Sequence, residues 1–267
     1  MHFCKGNMFK GHSVFKSYFS AMSIDATYKK LRLSGTYFKT KKRSISMSCY
    51  GSTITAAQFP KFIKNGVHHI LPRPYESSKP GGDGYKLMHS SWFEALVKQI
   101  EEGVYYFLEN IHPDKNIASK IWNKINLCKS IVPKELRISN TFFTHMTVLG
   151  NYADSGDGIP AHFDEKDIIT ALFHIGNVSE GGGTIYYDGR SVSNKGNSMY
   201  TMPFKHGRIQ IGCYNEVLHE VEAWSGQRGC INFNLKEPIL DHFVNESDTY
   251  FKQFKLQGFP KGEFYAT

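Results

Sequence analysis

His162, Asp164 and His219 are the residues whose types and spacing could together hold a metal ion in this 267-residue chain. His162-Phe163-Asp164 sets an imidazole and a carboxylate two residues apart, and in an extended strand that spacing points both side chains to one face. The pattern alone is weak. His112-Pro113-Asp114 repeats it behind a helical stretch and with a proline inside, and reads as a helix-terminating loop. His219 lies 57 residues beyond His162, in the alternating run Val217-Leu218-His219-Glu220-Val221, where it shares a face with Val217 and Val221. A histidine so placed is, by itself, as readily a hydrogen-bonded core residue. Taken as a set, two imidazoles and one carboxylate can occupy one face of octahedral Fe(II) and leave the opposite positions for a bidentate co-substrate and O2. Zinc would favour a closed tetrahedron, or water as a fourth ligand.

Arg228 stands nine residues after His219, past the turn Trp224-Ser225-Gly226-Gln227 and at the start of the apolar run Arg228-Gly229-Cys230-Ile231-Asn232-Phe233. If the two strands are neighbours, its guanidinium lies deep beside the metal. An arginine committed to a partly buried strand needs an anion, and its planar fork suits a carboxylate gripped at two points. The far carboxylate of a keto acid chelating the iron would serve; an internal salt bridge to a protein acid is the alternative.

These residues must be positioned by a β-rich second half. Short β-branched and aromatic runs separated by Gly, Asn and Ser give candidate strands at 142–152, 168–175, 184–187, 199–203, 208–214, 217–224 and 228–235. Closely spaced strands of this kind imply a sandwich or barrel, with a jelly roll as one member of that set. Ahead of them, Trp92, Phe93, Leu96, Val97, Ile100, Val104, Phe107 and Leu108 recur at helical spacing, with Ser91 and Glu94 placed as a capping box. A second helix is expected over roughly 117–128, before Pro133. Residues 44–89 are rich in turn signals and read as short strands joined by long loops. The expected organisation is a basic, loop-rich substrate-binding region over 1–89, supporting helices over 90–140, a core over 141–240 and a tail over 241–267.

Charge is concentrated at one end. Residues 1–43 carry ten Lys or Arg against the single acid Asp25, a net +9, whereas the rest of the chain is close to neutral within a total of +8. Interleaved with Phe3, Phe9, Phe15, Tyr18, Phe19, Tyr28, Tyr37 and Phe38, such an arm could track a phosphate backbone while its rings stack; a solvated surface with aromatics packed on the core is the alternative. No run of apolar residues is long enough for a membrane span, and Lys5, Lys10 and Lys16 interrupt any signal-peptide core, so an intracellular location, cytoplasm or nucleus, is expected. Five scattered cysteines without a C-x-x-C pair read as free thiols.

The stretch from His219 to Arg228 resembles the distal-histidine strand and arginine turn of the 2-oxoglutarate/Fe(II)-dependent dioxygenase superfamily, particularly its prolyl-hydroxylase branch. Tyr152 and Gly156-Asp157-Gly158-Ile159 leading into His162 are similar to the approach to H-x-D shared by prolyl hydroxylases and AlkB-like enzymes. Gly181-Gly182-Gly183-Thr184-Ile185 is similar to the Gly-Gly turn and strand between the two metal-binding segments. The resemblance covers about residues 142 to 236. It implies a mainly β, α+β fold with a double-stranded β-helix (jelly-roll, cupin-like) core. It also implies metal ligands His162, Asp164 and His219, and C–H hydroxylation coupled to oxidative decarboxylation of 2-oxoglutarate, with O2 as oxidant and ascorbate as reductant. Arg228, Tyr152 and His174 would hold the co-substrate; His174 stands where prolyl hydroxylases carry a tyrosine.

Substrate contacts are expected from Asp167, Arg43 and Arg73; a solvated loop acid is the plainer reading of Asp167. Arg43-Ser44-Ile45-Ser46-Met47-Ser48-Cys49-Tyr50-Gly51 is similar to the segment ahead of the barrel in base-oxidising TET/JBP relatives. With the basic arm, it points to a nucleic-acid base as substrate, flipped into the pocket. A peptide, through prolyl or lysyl hydroxylation, is the alternative. A small-molecule hydroxylase or a non-catalytic metal-binding jelly roll stands further off.

Overall fold

The computed structural model describes residues 46–53, 61–64, 67–70, 73–74, 78, 80–150, 155–164 and 166–245. The basic arm, Arg43 and Tyr152 lie outside the described residues. The chain begins with β1 (Ser46–Thr53), the hairpin β2 (Lys61–Lys64) and β3 (Val67–Ile70), and the short β4 (Arg73–Pro74). The helices α1 (Asp83–Met88), α2 (Ser91–Tyr106) and α3 (Lys115–Ile131) follow. The core strands are β5 (His145–Gly150), β6 (Ser155–Gly156), β7 (Ile159–His162), β8 (Asp167–Gly181), β9 (Thr184–Tyr187), β10 (Ser198–Met202), β11 (Ile209–Gly212), β12 (Leu218–Val221) and β13 (Trp224–Lys236), and α4 (Glu237–Asn245) comes last.

Two antiparallel sheets make the double-stranded β-helix. The larger runs β11-β8-β13-β5-β1-β4, with β6 added to β13, and the smaller runs β10-β9-β12-β7. Strand alternation sorts the residues of the large sheet into two layers. On β8, Ile169, Ala171, Phe173 and Ile175 are buried in the main apolar core, together with Ile231, Phe233 and Leu235 of β13 and Met146 and Val148 of β5. That layer packs against Phe93, Leu96, Val97, Ile100 and Val104 of α2, which explains the helical apolar stripe. The opposite layer, Leu172 and His174 on β8, Arg228, Cys230, Asn232 and Asn234 on β13, and His145, Thr147 and Leu149 on β5, faces the small sheet.

Local details depart from expectation where neighbours compete. The Ser91/Glu94 capping box does not form: α2 starts at Ser91, and Ser90 takes the cap position without a side-chain cap bond. Its hydroxyl instead donates to the Leu87 carbonyl (2.7 Å), because α1 ends immediately upstream. α2 closes in a π-helical turn, Phe107–Ile111. His112-Pro113-Asp114 is the expected loop, and Asp114 caps α3 by accepting from the backbone N–H groups of Asn116 (2.8 Å) and Ile117 (3.0 Å). α3 is longer at both ends than the apolar spacing suggested. Cys128, Cys213 and Cys230 are free thiols. Among the described residues no helix is long and apolar enough to cross a membrane.

Candidate metal centre

β7 and β12 are hydrogen-bonded neighbours in the small sheet, and their register sets His162 directly opposite His219. The two imidazole centroids are 4.4 Å apart. Asp164 follows β7 by two residues, and its backbone N–H donates to the Tyr214 carbonyl (3.1 Å), which turns the carboxylate back toward the rings. Asp164 Oδ1 lies 3.6 Å from His162 Nε2 and Oδ2 lies 4.0 Å from His219 Nε2. One ligand atom from each residue falls within 4.8 Å of the others.

The ring nitrogens that do not converge are committed elsewhere. His162 Nδ1 is 2.7 Å from the Pro160 carbonyl and His219 Nδ1 is 2.9 Å from the Val217 carbonyl. A carbonyl only accepts, so each Nδ1 carries a proton, and Nε2 is the ring atom left facing the cluster, a lone pair whenever the ring is neutral. Two imidazole lone pairs and a carboxylate with anchored outer nitrogens suit a divalent cation. Burial alone would push the Asp164 carboxyl up, but its contacts with His162 and His219 hold it below the usual carboxylate range. His162 is raised by its polar contact with Asp164, and His219 is lowered by burial. His219 is almost fully enclosed, whereas 38% of the His162 side chain is exposed, so the cluster opens to solvent on the β7 side.

Three supporting residues escaped the sequence reading. Tyr186 of β9 is the cross-strand partner of His219, and its hydroxyl meets Gln210 Oε1 and the Tyr214 hydroxyl, both at 3.2 Å. The Tyr214 ring packs against His219 with centroids 5.1 Å apart. Tyr214 therefore touches two members of the cluster, through its carbonyl and its ring. Only strand register brings these side chains together, and no spacing in the chain announces it.

Arg228 lies further along the same inner layer, 3% exposed. Its Nε donates to the Gly182 carbonyl (3.0 Å), and its guanidinium carbon sits 5.2 Å from the Trp224 ring and 5.7 Å from the Phe204 ring. The Trp224 indole leans on Gly156, where an added Cβ would fall 2.2 Å from Cζ2. Gly156→Ala is thus expected to displace the indole and cost on the order of 1–3 kcal/mol, measured by urea unfolding with tryptophan emission as the probe. Unchanged emission and midpoint would contradict this packing.

His174 lies two residues from the cross-strand partner of Arg228 and pairs directly with Cys230. It is buried, and burial together with the Arg228 cation lowers it to about 3, so the ring is neutral. Gln210 approaches it, yet neither ring nitrogen makes a hydrogen bond of normal geometry among the described residues. Trp224 Nε1 is likewise buried without a hydrogen-bond partner among the described residues.

Asp167 is not a solvated loop acid. β8 begins at Asp167, one residue ahead of the expected start, and the side chain is 1% exposed. It accepts from Thr170 Oγ1 (3.2 Å) and from Asn234 Nδ2, and pairs with Lys236. Burial raises it to about 6 against the opposing pull of Lys236. Arg73 belongs to β4 at the edge of the large sheet, where its backbone pairs with Thr53.

Fold and site together define a class: a double-stranded β-helix holding a two-histidine, one-carboxylate cluster between its sheets. No family model matches the chain, and no curated protein matches it. Among solved structures it is similar to an oxidoreductase of the 2OG-Fe(II) oxygenase family from Burkholderia pseudomallei, at 9% identity and a TM-score of 0.41, over 88% of this chain and 93% of that one. So distant a likeness leaves the functional reading to the geometry of the site.

Proposed function

We propose that the chain is an Fe(II)- and 2-oxoglutarate-dependent dioxygenase that hydroxylates a C–H bond of a nucleic-acid base. The observation that carries this reading is the convergence of His162, Asp164 and His219 within 4.8 Å, with both outer ring nitrogens fixed on backbone carbonyls. Iron and 2-oxoglutarate, when bound, supply the oxidising chemistry, and the protein binds, aims and shields. His162, Asp164 and His219 would hold the metal. Arg228 grips the far carboxylate of the keto acid, and the enclosing Trp224 and Phe204 rings keep that end dry. His174 offers that carboxylate a neutral N–H. The base is favoured by the +9 segment over residues 1–43, which suits a phosphate backbone. The nine-residue step from His219 to Arg228 is common ground with prolyl hydroxylases, but it reports how the co-substrate is held rather than what is oxidised.

Anaerobic addition of Fe(II) and 2-oxoglutarate is expected to produce a weak visible charge-transfer band that His162→Ala lacks. Tight zinc binding with no band in the parent chain would end the proposal.

A further inference from the structure

Opposite the cluster, the large sheet presents a wall of polar side chains. β5 and β13 are paired so that His145 faces Asn234, Thr147 faces Asn232 and Leu149 faces Cys230, and strand alternation turns all six toward the small sheet. The wall lies under Asp164, whose charge reaches Cys230, His145 and Asp167. Deeper along β13, Arg228 is enclosed; at the other end, Lys236 is committed to Asp167. Between them Asn232 is only half-buried. Its Oδ1 accepts from the Cys230 thiol (2.9 Å), and its Nδ2 has no partner among the described residues. Beside it, His145 Nε2 is 2.9 Å from Thr147 Oγ1. Burial and the Lys236 cation lower His145 to about 4, which leaves the imidazole uncharged at neutral pH.

We infer that Asn232, flanked by Thr147 and His145, reads the substrate, and that it selects an uncharged, hydrogen-bonding group such as the edge of a nucleobase. This rests on the proposed dioxygenase reading and adds to it the residue that discriminates. The chemistry of the wall argues for the class. Asn232 Nδ2 offers a donor beside the Thr147 hydroxyl and the uncharged His145 ring, which bond each other, and a base edge carries the acceptors such a donor requires. A lysine side chain would need a carboxylate facing it, but of the two acids near the wall among the described residues Asp164 belongs to the cluster and Asp167 is already paired. A proline ring offers no acceptor for Asn232 Nδ2 to meet and would leave that N–H unsatisfied in a closed site.

The test uses the full chain with Fe(II), 2-oxoglutarate and air, offered methylated DNA and RNA oligonucleotides in one pool and proline- and lysine-containing peptides in another, with oxidised products counted by mass spectrometry. Two variants are compared. Asn232→Leu removes all polarity, and Asn232→Asp keeps the shape and the acceptor for Cys230 while removing the donor. Both are expected to form the anaerobic charge-transfer band and to lose product from the nucleic-acid pool by tenfold or more, roughly the weight of one hydrogen bond left unmade in a dry site. Parent-level product in both variants would overturn the role of Asn232, as would loss of the band in both, which would place the residue on the metal or co-substrate side. Oxidised peptides, or no oxidised base, from a parent chain that forms the band would overturn the substrate class. A parent chain that forms no band would instead fail the dioxygenase reading itself.

Discussion

In His219→Ala, affinity for a divalent metal is expected to fall by at least about a hundredfold, beyond what loss of an outer-shell partner alone produces. Co(II) absorption is the convenient measure, since it reports coordination without redox chemistry. The reasoning is geometric. His219 is the enclosed member of the cluster, 5% exposed, and its Nε2 is aimed by the bond from Nδ1 to the Val217 carbonyl. The two tyrosine hydroxyls beside it are already occupied: Tyr186 and Tyr214 bond each other, and Tyr186 also bonds Gln210. His112→Ala is the matched control, because its Nδ1 is held within the loop that precedes α3, far from the barrel in sequence and in role. Co(II) spectra that titrate alike in both variants would dismantle the cluster as a metal site.

Arg228→Leu is expected to bind metal as the parent does and to lose 2-oxoglutarate affinity by roughly a hundredfold, the weight of two charge-assisted hydrogen bonds at about 1.5 kcal/mol each. Arg228→Lys should fall between the two, since the charge survives and the fork does not. Calorimetry with Mn(II) in place of iron reads both steps separately. A leucine variant that binds the keto acid as tightly as the parent would assign the guanidinium to internal packing, where its contacts with Gly182, Trp224 and Phe204 already give it a place.

Much of this centre can be read from the chain because its parts are local or periodic. H-x-D is a two-residue geometry, the strand around His219 alternates cleanly, and Arg228 opens a run whose apolar positions are the ones buried against α2. What could not be read depends on register or on competition between neighbours. β7 is four residues long and contains Pro160, so nothing in its composition marks a strand; it exists because β12 pairs with it. Tyr186, Gln210 and Tyr214 come from three separate segments and meet only across the barrel. Asp167 looked like a loop acid because the apolar run begins at Ile168, yet Lys236, Thr170 and Asn234 offer it partners that pull it into the first position of β8. Ser91 and Glu94 had the right spacing for a cap, but Ser90 preceded them and the end of α1 claimed its hydroxyl.

The enclosure of Arg228 fixes an order of events. The guanidinium is almost fully covered, with the Trp224 and Phe204 rings against it, whereas His162 is the exposed member of the cluster. If a keto acid binds Arg228 as proposed and enters on the exposed His162 side, it would have to do so before a larger molecule covers the cluster, and the diacid left after its decarboxylation could leave only once that cover is gone. On the proposed reading turnover is a queue with one door, in which the small reactant would be first in and last out.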